Sequence, residues 1–303
     1  MTTTVRVFAP AKINLFLHVT GRRADGYHLL DSLAAFADIG DDVTVTADDK
    51  FSVSLSGPFA DALTDSDANS CLRAARFAAD LARPPTGRIP SGARISLVKN
   101  LPVAAGLGGG STDAAATLLA CRALWNIRAL PSDADVAGAL GADVPVCLRA
   151  RATMLRGIGE QLEDAPALPP CAVVLVNPGV ALPTADVFKA FSGSFSRAVT
   201  AMPARWDSTD ALANFLRLQR NDLTAAARTL APEIGTVLSL LAQESHCRLA
   251  RMSGSGATCY GLFAEATAAE RAARRIAQAR PRWWVKAGRL AEFPDEARVI
   301  PGP

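Results

Sequence analysis

Gly106-Leu107-Gly108-Gly109-Gly110 carries four glycines in five residues, and two hydroxyl side chains, Ser111 and Thr112, follow at once. Glycines allow positive φ and remove the β-carbons that would hold a ligand away from the backbone. The residues before the loop, Arg94-Ile95-Ser96-Leu97-Val98, alternate like a half-buried strand. Those after it, from Thr112 to Trp125, are rich in Ala and Leu and read as a helix that Ser111 or Thr112 can cap. Loop N–H groups beside a helix N-terminus make an anion site that needs no basic side chain. The expected ligand is therefore a phosphate. Asp113 lies in the first helical turn, where its charge suits the helix but repels a phosphate, so it is expected to point away from the ligand.

The loop fits neither common nucleotide signature. A P-loop places Lys after its last glycine, and none stands here. A Rossmann loop ends in Gly or Ala, where this chain has Ser111.

Other side chains carry chemistry at a distance. Lys12-Ile13-Asn14-Leu15-Phe16-Leu17-His18-Val19 alternates, with Ile13, Leu15, Leu17 and Val19 on one face and Lys12 and Asn14 on the other. Taken alone, Lys12 reads as a solvated charge. Asp143 opens the apolar, strand-like run Val144-Pro145-Val146-Cys147-Leu148 and must face solvent, a partner or a ligand. Tyr27 and His28 stand side by side at the end of a turn-rich loop, in a chain with two tyrosines and three histidines. Either the loop is a contact surface, or Tyr27 simply packs over the next element.

The elements that must position these groups follow from periodicity. Val5 to Phe8 reads as a strand interrupted by Pro10, and Leu29 to Ile39 is apolar. Asp42 to Thr46 and Phe51 to Ser56 read as a hairpin about Ala47-Asp48-Asp49-Lys50. Asn69 to Ala82 is helical, closed by Pro84 and Pro85, and Asp133 to Leu140 is a short helix. Thr153 to Glu160 is a strand and turn. The Pro-rich stretch from Glu163 to Pro170 marks the domain boundary, giving lobes 1–163 and 164–303. Cys171 to Val176 is a buried strand, and a helix opens near Pro183 and Thr184. Gly193 to Asp210 is loop, and helices cover Ala211 to Arg217, Asp222 to Thr229 and Pro232 to Glu244. Ser253-Gly254-Ser255-Gly256 leads into a strand, Ala266 to Arg280 is a helix and Trp283 to Ala287 a strand.

Three motifs, Pro10-Ala11-Lys12-Ile13-Asn14-Leu15, the glycine loop and Met252-Ser253-Gly254-Ser255-Gly256-Ala257, stand in the order found in GHMP kinases. The loop, from Pro102, resembles their P-x-x-x-G-L-G-S/G-S-S/T-A/D-A motif. Within that superfamily the chain most resembles the kinases of 4-diphosphocytidyl-2-C-methyl-D-erythritol. Asp25-Gly26-Tyr27-His28, Gly141-Ala142-Asp143-Val144-Pro145 and Asn177-Pro178-Gly179 carry that narrower likeness. The resemblance spans Val5 to about Trp284. It implies an α+β fold of two lobes, the first like domain 2 of ribosomal protein S5 and the second ferredoxin-like, with the strand near 283–287 free to return to the first lobe. It implies an ATP-dependent kinase for the 2-hydroxyl of the cytidine-diphosphate-linked methylerythritol, in the non-mevalonate route to isoprenoids. Lys12 and Asp143 become the catalytic pair. Pro102, Val103, Ala104, Ala105, Gly106, Leu107, Gly108, Gly109, Gly110, Ser111 and Thr112 wrap the ATP phosphates, with Asn69 and Lys99 near the adenine. Asn14, Tyr27, His28, Thr184 and Phe188 meet the acceptor. Asp113 departs from the Asn or Ala often found in that place. Mg²⁺ is expected with the ATP, without an assigned protein ligand.

That chemistry is coherent, because phosphoryl transfer is mostly positioning and charge stabilisation. A rival acceptor such as homoserine or mevalonate fits Tyr27 and His28 less well than a flat nucleobase does. A non-catalytic nucleotide-binding module needs neither Lys12 nor Asp143. Composition suits a globular protein with a sizeable core: half the 303 residues are apolar, and a net charge of +3 is too small to argue for nucleic acid or an anionic membrane. The six cysteines form no C-x-x-C pair and read as buried free thiols. The residues from Met1 lack the apolar core of a signal peptide, and no membrane span is expected. A cytoplasmic monomer or homodimer is expected.

Overall fold

The computed structural model describes residues 3–66, 68–82, 92–295 and 299–301. Two long strands form its axis. Strand β1 (Thr4–Arg22) and strand β2 (His28–Asp48) pair antiparallel along almost their whole length. Pro10 does not end β1, because its missing N–H falls at a register shift between Pro10 and Ala11. The β2 strand continues through the apolar stretch after Leu29 and is joined by different neighbours along its length. Strand β4 (Gly92–Val98) pairs with its second half and strand β5 (Thr153–Gly157) with its first.

The expected hairpin between Asp42–Thr46 and Phe51–Ser56 does not form. Strand β3 (Ser52–Ser56) pairs in parallel with β4, and β4 lies between it and β2. Parallel partners need a long crossover, which here contains helix α1 (Ser70–Leu81). Alternation along each strand was legible, but the order of the strands depends on where α1 buries its Ala-rich face. Pro84 and Pro85 lie outside the described residues, as do Met1 and Thr2.

Helix α2 (Gly109–Leu124) packs with α1 across β1 and β2. Helix α3 (Asp133–Leu140), helix α4 (Val144–Arg149) and strand β6 (Gln161–Asp164), paired with β5, complete most of the first lobe. The second lobe is an antiparallel sheet of strands β7 (Ala172–Asn177), β8 (Leu249–Met252), β9 (Cys259–Phe263) and β10 (Trp284–Ala291), in the order β10-β7-β9-β8. This is the ferredoxin-like order. Its helices are α5 (Thr184–Ala190), α6 (Thr209–Arg217), α7 (Thr224–Leu230), α8 (Glu233–Gln243) and α9 (Ala266–Ala279). Residues 284–289 of β10 stay in this sheet, and the junction with the first lobe is made by Leu290 and Ala291 against β2. A short strand β11 (Val299–Pro301) pairs with the start of β1.

Period-two burial on β7 shows how the lobes share a core. Val174 and Val176 belong to the core of the second lobe, with α7, α8 and α9. Val173 and Leu175 face a third core, shared with Ile13, Leu15 and Phe16 of β1. Leu15 decides the geometry there. Asn14 pairs with Ala34 and Phe16 with Leu33, so Leu15 is the extra residue of a bulge. The bulge shifts the face phase expected for β1. Phe16 joins the shared core with Ile13, while Leu17 joins Lys12 and Asn14 on the cleft side. The Leu15 carbonyl instead accepts from Tyr260 Oη at 2.7 Å and Arg251 Nη1 at 2.8 Å. Arg251 also donates to the carbonyls of Leu216 and Gln219.

This network gives a graded prediction. Tyr260→Phe leaves the Leu15 carbonyl bonded to Arg251 and is expected to cost about 0.5–1.5 kcal/mol. Arg251→Met strips donors from three carbonyls and is expected to cost more, on the order of 2–4 kcal/mol. Urea unfolding of both variants measures the difference; equal costs would show that Arg251 does not anchor the bulge.

Candidate active site

The first residues of β1's inner half, the glycine loop and α4 meet at one cleft with a volume of about 530 Å³. Lys12 and Asp143, 131 positions apart by their numbers, form an ion pair there, with Nζ 2.6 Å from Oδ2. The Lys12 side chain is 5% exposed and that of Asp143 is 41% exposed. The lysine is thus fixed in the floor of the cleft, and the carboxylate stands at its open side.

Asp143 does not open a strand. It precedes the first turn of α4, where Pro145 fits because the first turn has N–H groups without helical partners. Val-Pro-Val-Cys-Leu has a strand's composition, and a short apolar run cannot tell a strand from a buried helical turn. Asp143 sits at the N-cap without capping: its side chain makes no bond to the helix, which leaves it to Lys12.

The glycine loop is held from behind. Lys12 N donates to the Leu107 carbonyl at 3.0 Å, Thr258 N to Ala105 at 3.1 Å and Ser253 Oγ to Gly106 at 2.8 Å. In a trans peptide the N–H opposes the C=O. The N–H groups of Gly106, Leu107 and Gly108 therefore point away from these anchors. Gly106 has φ +73°, and a β-carbon there would run into the Ser253 carbonyl. Gly108 has φ +63°, and a β-carbon would lie 3.2 Å from two carbons of Lys12. Helix α2 begins at Gly109, three residues before the expected start, with Gly108 rather than a hydroxyl residue at its cap. Thr112 instead donates to the Gly109 carbonyl, and Ser111 lines the cleft with Gly108, Gly109 and Gly110.

A second pocket of about 330 Å³ adjoins the same loop, lined by Leu63, Asn69, Leu97, Lys99, Pro102 and Val103 among others. It holds the residues expected near adenine, but their polar ends are engaged. Asn69 caps α1, accepting from Cys71 N, and donates to the Thr64 carbonyl. Lys99 Nζ lies 2.6 Å from both Asp41 Oδ2 and Asp113 Oδ2, with its side chain 2% exposed. Asp41 also accepts from the N–H groups of Asn100 and Leu101, where the loop begins. A lysine between two buried carboxylates ties the loop's entry to the first turn of α2. The resemblance to GHMP kinases put Lys99 near the adenine; it lines this pocket, with its ammonium turned to the two carboxylates. Asp113 is turned inward, and its charge is met by Lys99.

Asn14 is buried, and its Nδ2 donates to Ser32 Oγ at 2.8 Å. Thr184 and Ser255 are joined by a hydroxyl–hydroxyl bond of 2.9 Å, and both line the cleft with Phe188. The imidazole of His28 lies parallel to the Phe188 ring, with centroids 5.2 Å apart and planes at 24°. Burial and the nearby charge of Arg22 lower the His28 pKa below its ordinary value. Tyr27, 62% exposed, stands beyond the cleft lining. Ser32, Ser253 and Ser255 escaped sequence reasoning as site residues; the Gly-Ser-Gly pattern was the one available signal. Five of the six cysteines are buried, and Cys247 is half-buried.

The chain matches the family descriptions "GHMP kinases N terminal domain" over residues 69–151 and "GHMP kinases C terminal" over residues 205–281. It is 52% identical over 288 residues to the 4-diphosphocytidyl-2-C-methyl-D-erythritol kinase of Cereibacter sphaeroides (strain ATCC 17025 / ATH 2.4.3), covering 94% of this chain and 98% of that one. The chain belongs to the 4-diphosphocytidyl-2-C-methyl-D-erythritol kinase family. A crystal structure of 4-(cytidine 5'-diphospho)-2C-methyl-D-erythritol kinase superposes with TM-score 0.75 at 34% identity, covering 94% of this chain and 99% of that one. Homoserine kinase from Cytophaga hutchinsonii shares the fold at 18% identity and TM-score 0.66, covering 98% of this chain and 97% of that one. Among the described residues no helix is long and apolar enough to cross a membrane.

In this family member the Lys99 triad has a pH signature. Two carboxylates face one ammonium, and burial raises the Asp113 pKa from 3.8 to about 7, with Lys99 opposing and Asp41 adding to the shift. Between about pH 4 and 7 the folded chain holds a proton that the unfolded chain has released, so stability falls as pH rises through that window and levels off above it. Asp113→Asn, with one carboxylate per ammonium, is expected to lack that slope. Denaturant midpoints across the window measure it; parallel profiles for the two proteins would show that Asp113 carries no such proton.

Proposed function

We propose that this chain transfers the γ-phosphoryl group of ATP to the 2-hydroxyl of 4-diphosphocytidyl-2-C-methyl-D-erythritol. The observation that carries the reading is the Lys12–Asp143 pair, 2.6 Å apart, beside the glycine loop. In the proposed step the acceptor oxygen forms a bond to the γ-phosphorus as the bond to the bridging oxygen breaks and ADP leaves. Asp143 accepts the hydroxyl proton, since an alcohol is a poor nucleophile until a positioned base takes it. Lys12 stabilises negative charge on the carboxylate and on the developing alkoxide. Asn14 is oriented by Ser32 through Nδ2, so its Oδ1 remains to accept from a hydroxyl of the acceptor other than the one whose proton passes to Asp143.

The N–H groups of residues 106–108 and the first turn of α2 suit the phosphates of ATP, and the second pocket suits its nucleoside. In that pocket Leu63, Leu97, Pro102 and Val103 offer apolar faces to a base, while Lys99 acts from beneath. Among the described residues no cluster of three or more His, Cys, Asp or Glu is placed to hold a metal ion. The cleft offers the oxygens of Asp143 and Ser111, a donor set that suits Mg²⁺ arriving on the triphosphate rather than a resident ion. When bound, Mg²⁺ neutralises charge on the phosphate oxygens. On the acceptor side, Phe188, His28 and exposed Tyr27 suit a flat nucleobase better than a small aliphatic alcohol.

Coupled ADP release from purified protein, offered a panel of alcohols, tests the reading: turnover is expected with the cytidine-linked acceptor and little with homoserine or mevalonate. Asp143→Asn is expected to bind ATP as before and to lose about a hundredfold or more in kcat. Wild-type turnover in that variant would remove Asp143 from the mechanism. Tyr27→Ala is expected to raise KM for the cytidine-linked substrate by about one to two factors of ten, as loss of a ring stacked on a base does. Its exposure predicts an unchanged melting temperature, and KM for ATP should stay put. If both KM values rise together, Tyr27 does not read the base.

A further inference from the structure

Residues 191–208 run between α5 and α6 without regular secondary structure. Several bonds tie this strap down, among them those from Arg220 Nη2 to Ser196 Oγ at 2.7 Å and from Arg156 Nη2 to the Val199 carbonyl at 3.5 Å. Ser196 N donates to the Val19 carbonyl at 2.8 Å, Ser196 Oγ to Asp222 at 2.6 Å, and Val199 N to Asp31 at 2.7 Å. Ahead of these ties the strap arches over His28. The imidazole and the Phe191 ring stand perpendicular, with centroids 5.7 Å apart and planes at 89°. Phe195 stacks behind Phe191 at 6.5 Å and 26°. Gly193 lets the strap turn back this closely, since a β-carbon there would lie 3.0 Å from Phe191 Cε2. His28 is therefore held between two rings, stacked on Phe188 of α5 and perpendicular to Phe191 of the strap.

We propose that Phe191, backed by Phe195 and Gly193, is a positioning residue that fixes the His28 ring against Phe188 and keeps it shielded from water. The strap thereby sets how His28 meets the acceptor, a consequence that rests on the role given to His28 above. Arg22, at the end of β1, is the charged group that acts on the imidazole, while α5 and the strap turn Phe188 and Phe191 to it. Burial and Arg22 both favour the neutral ring. A neutral imidazole keeps one acceptor nitrogen that the protonated form lacks, and the exocyclic amine of a cytosine needs such an acceptor.

The test uses the full chain with Phe191→Ala, Phe191→Tyr and Gly193→Ala. The His28 titration is followed by NMR without ligand and assigned among the three histidines with a His28→Gln reference. In Phe191→Ala the midpoint is expected to move up toward 6.5, the ordinary value. Gly193→Ala, which crowds the ring without deleting it, is expected to move it in the same direction, and Phe191→Tyr to leave it in place. At pH values below that midpoint the alanine variant's KM for the cytidine-linked substrate should rise severalfold, with KM for ATP unmoved and the tyrosine variant near wild type. A His28 midpoint that stays in place in Phe191→Ala overturns the proposal. A shifted midpoint with an unchanged cytidyl KM upholds the positioning of the ring and overturns instead the base-reading role of His28.

Discussion

Two glycine-containing turns from opposite lobes touch backbone to backbone, and the cleft depends on that contact. Gly106 lies against the carbonyl of Ser253 so closely that no side chain fits between them. Ser253 Oγ donates to the Gly106 carbonyl and accepts from Asn14 N at 3.1 Å. One serine of the second lobe thus fixes both the phosphate-binding loop and the strand that carries Lys12. A loop whose carbonyls were free to rotate would present a mixture of N–H and C=O groups to a phosphate. Here three successive carbonyls, those of Ala105, Gly106 and Leu107, are held by the protein. Preorganisation of this kind is what makes backbone amides effective against developing charge.

The electrostatics follow the same logic. Among the described residues lining the cleft Lys12 is the one cation and Asp143 the one carboxylate. Fixed charge near the phosphates is therefore sparse, and the amides supply the rest. The second lysine near the loop, Lys99, is placed differently. A buried ammonium without partners is costly, whereas one held by Asp41 and Asp113 is compensated and rigid. The two lysines have divided the work, with one facing the ligand and the other fixing the backbone that binds it.

Much of this was legible along the chain because it is local. The glycine loop announces an anion site by its own composition, and the period-two and helical stretches from Cys171 to Arg280 fall where their elements form. What was not legible depends on neighbours remote in sequence. The hairpin at residues 42–56 looked complete until β4 took the place between its strands. Asp143 looked like a strand residue because burial makes a six-residue helix as apolar as a strand. The likeness to GHMP kinases placed Lys99 and Asn69 near the adenine, and both line the second pocket, but their bonds to Asp41, Asp113 and the start of α1 are not visible in the alphabet alone. Lys12 looked like a surface charge, and only the likeness to GHMP kinases joined it to Asp143. The bulge at Leu15 had no signature, since one extra residue in an alternating strand changes the phase without changing the composition.

That bulge links chemistry to the joining of the lobes. Without it, Leu17 would fall on the core side with Ile13, and the cleft wall beyond Asn14 would begin with Phe16. With it, the carbonyl of Leu15 leaves the β1–β2 ladder and needs donors, which Tyr260 and Arg251 of the second lobe provide. A local irregularity in the strand that carries Lys12 and Asn14 is thus completed by the other lobe. The same strand continues to Leu17 and Val19, where the Leu17 backbone bonds to Arg220 and Asp222, and Val19 to Asp222 and the strap. A rigid rotation of one lobe on the other would break the bonds at Leu15, Leu17 and Val19 together. Residues 191–195, ahead of those bonds and exposed for the most part, meet the acceptor side of the cleft through the contact of Phe191 with His28.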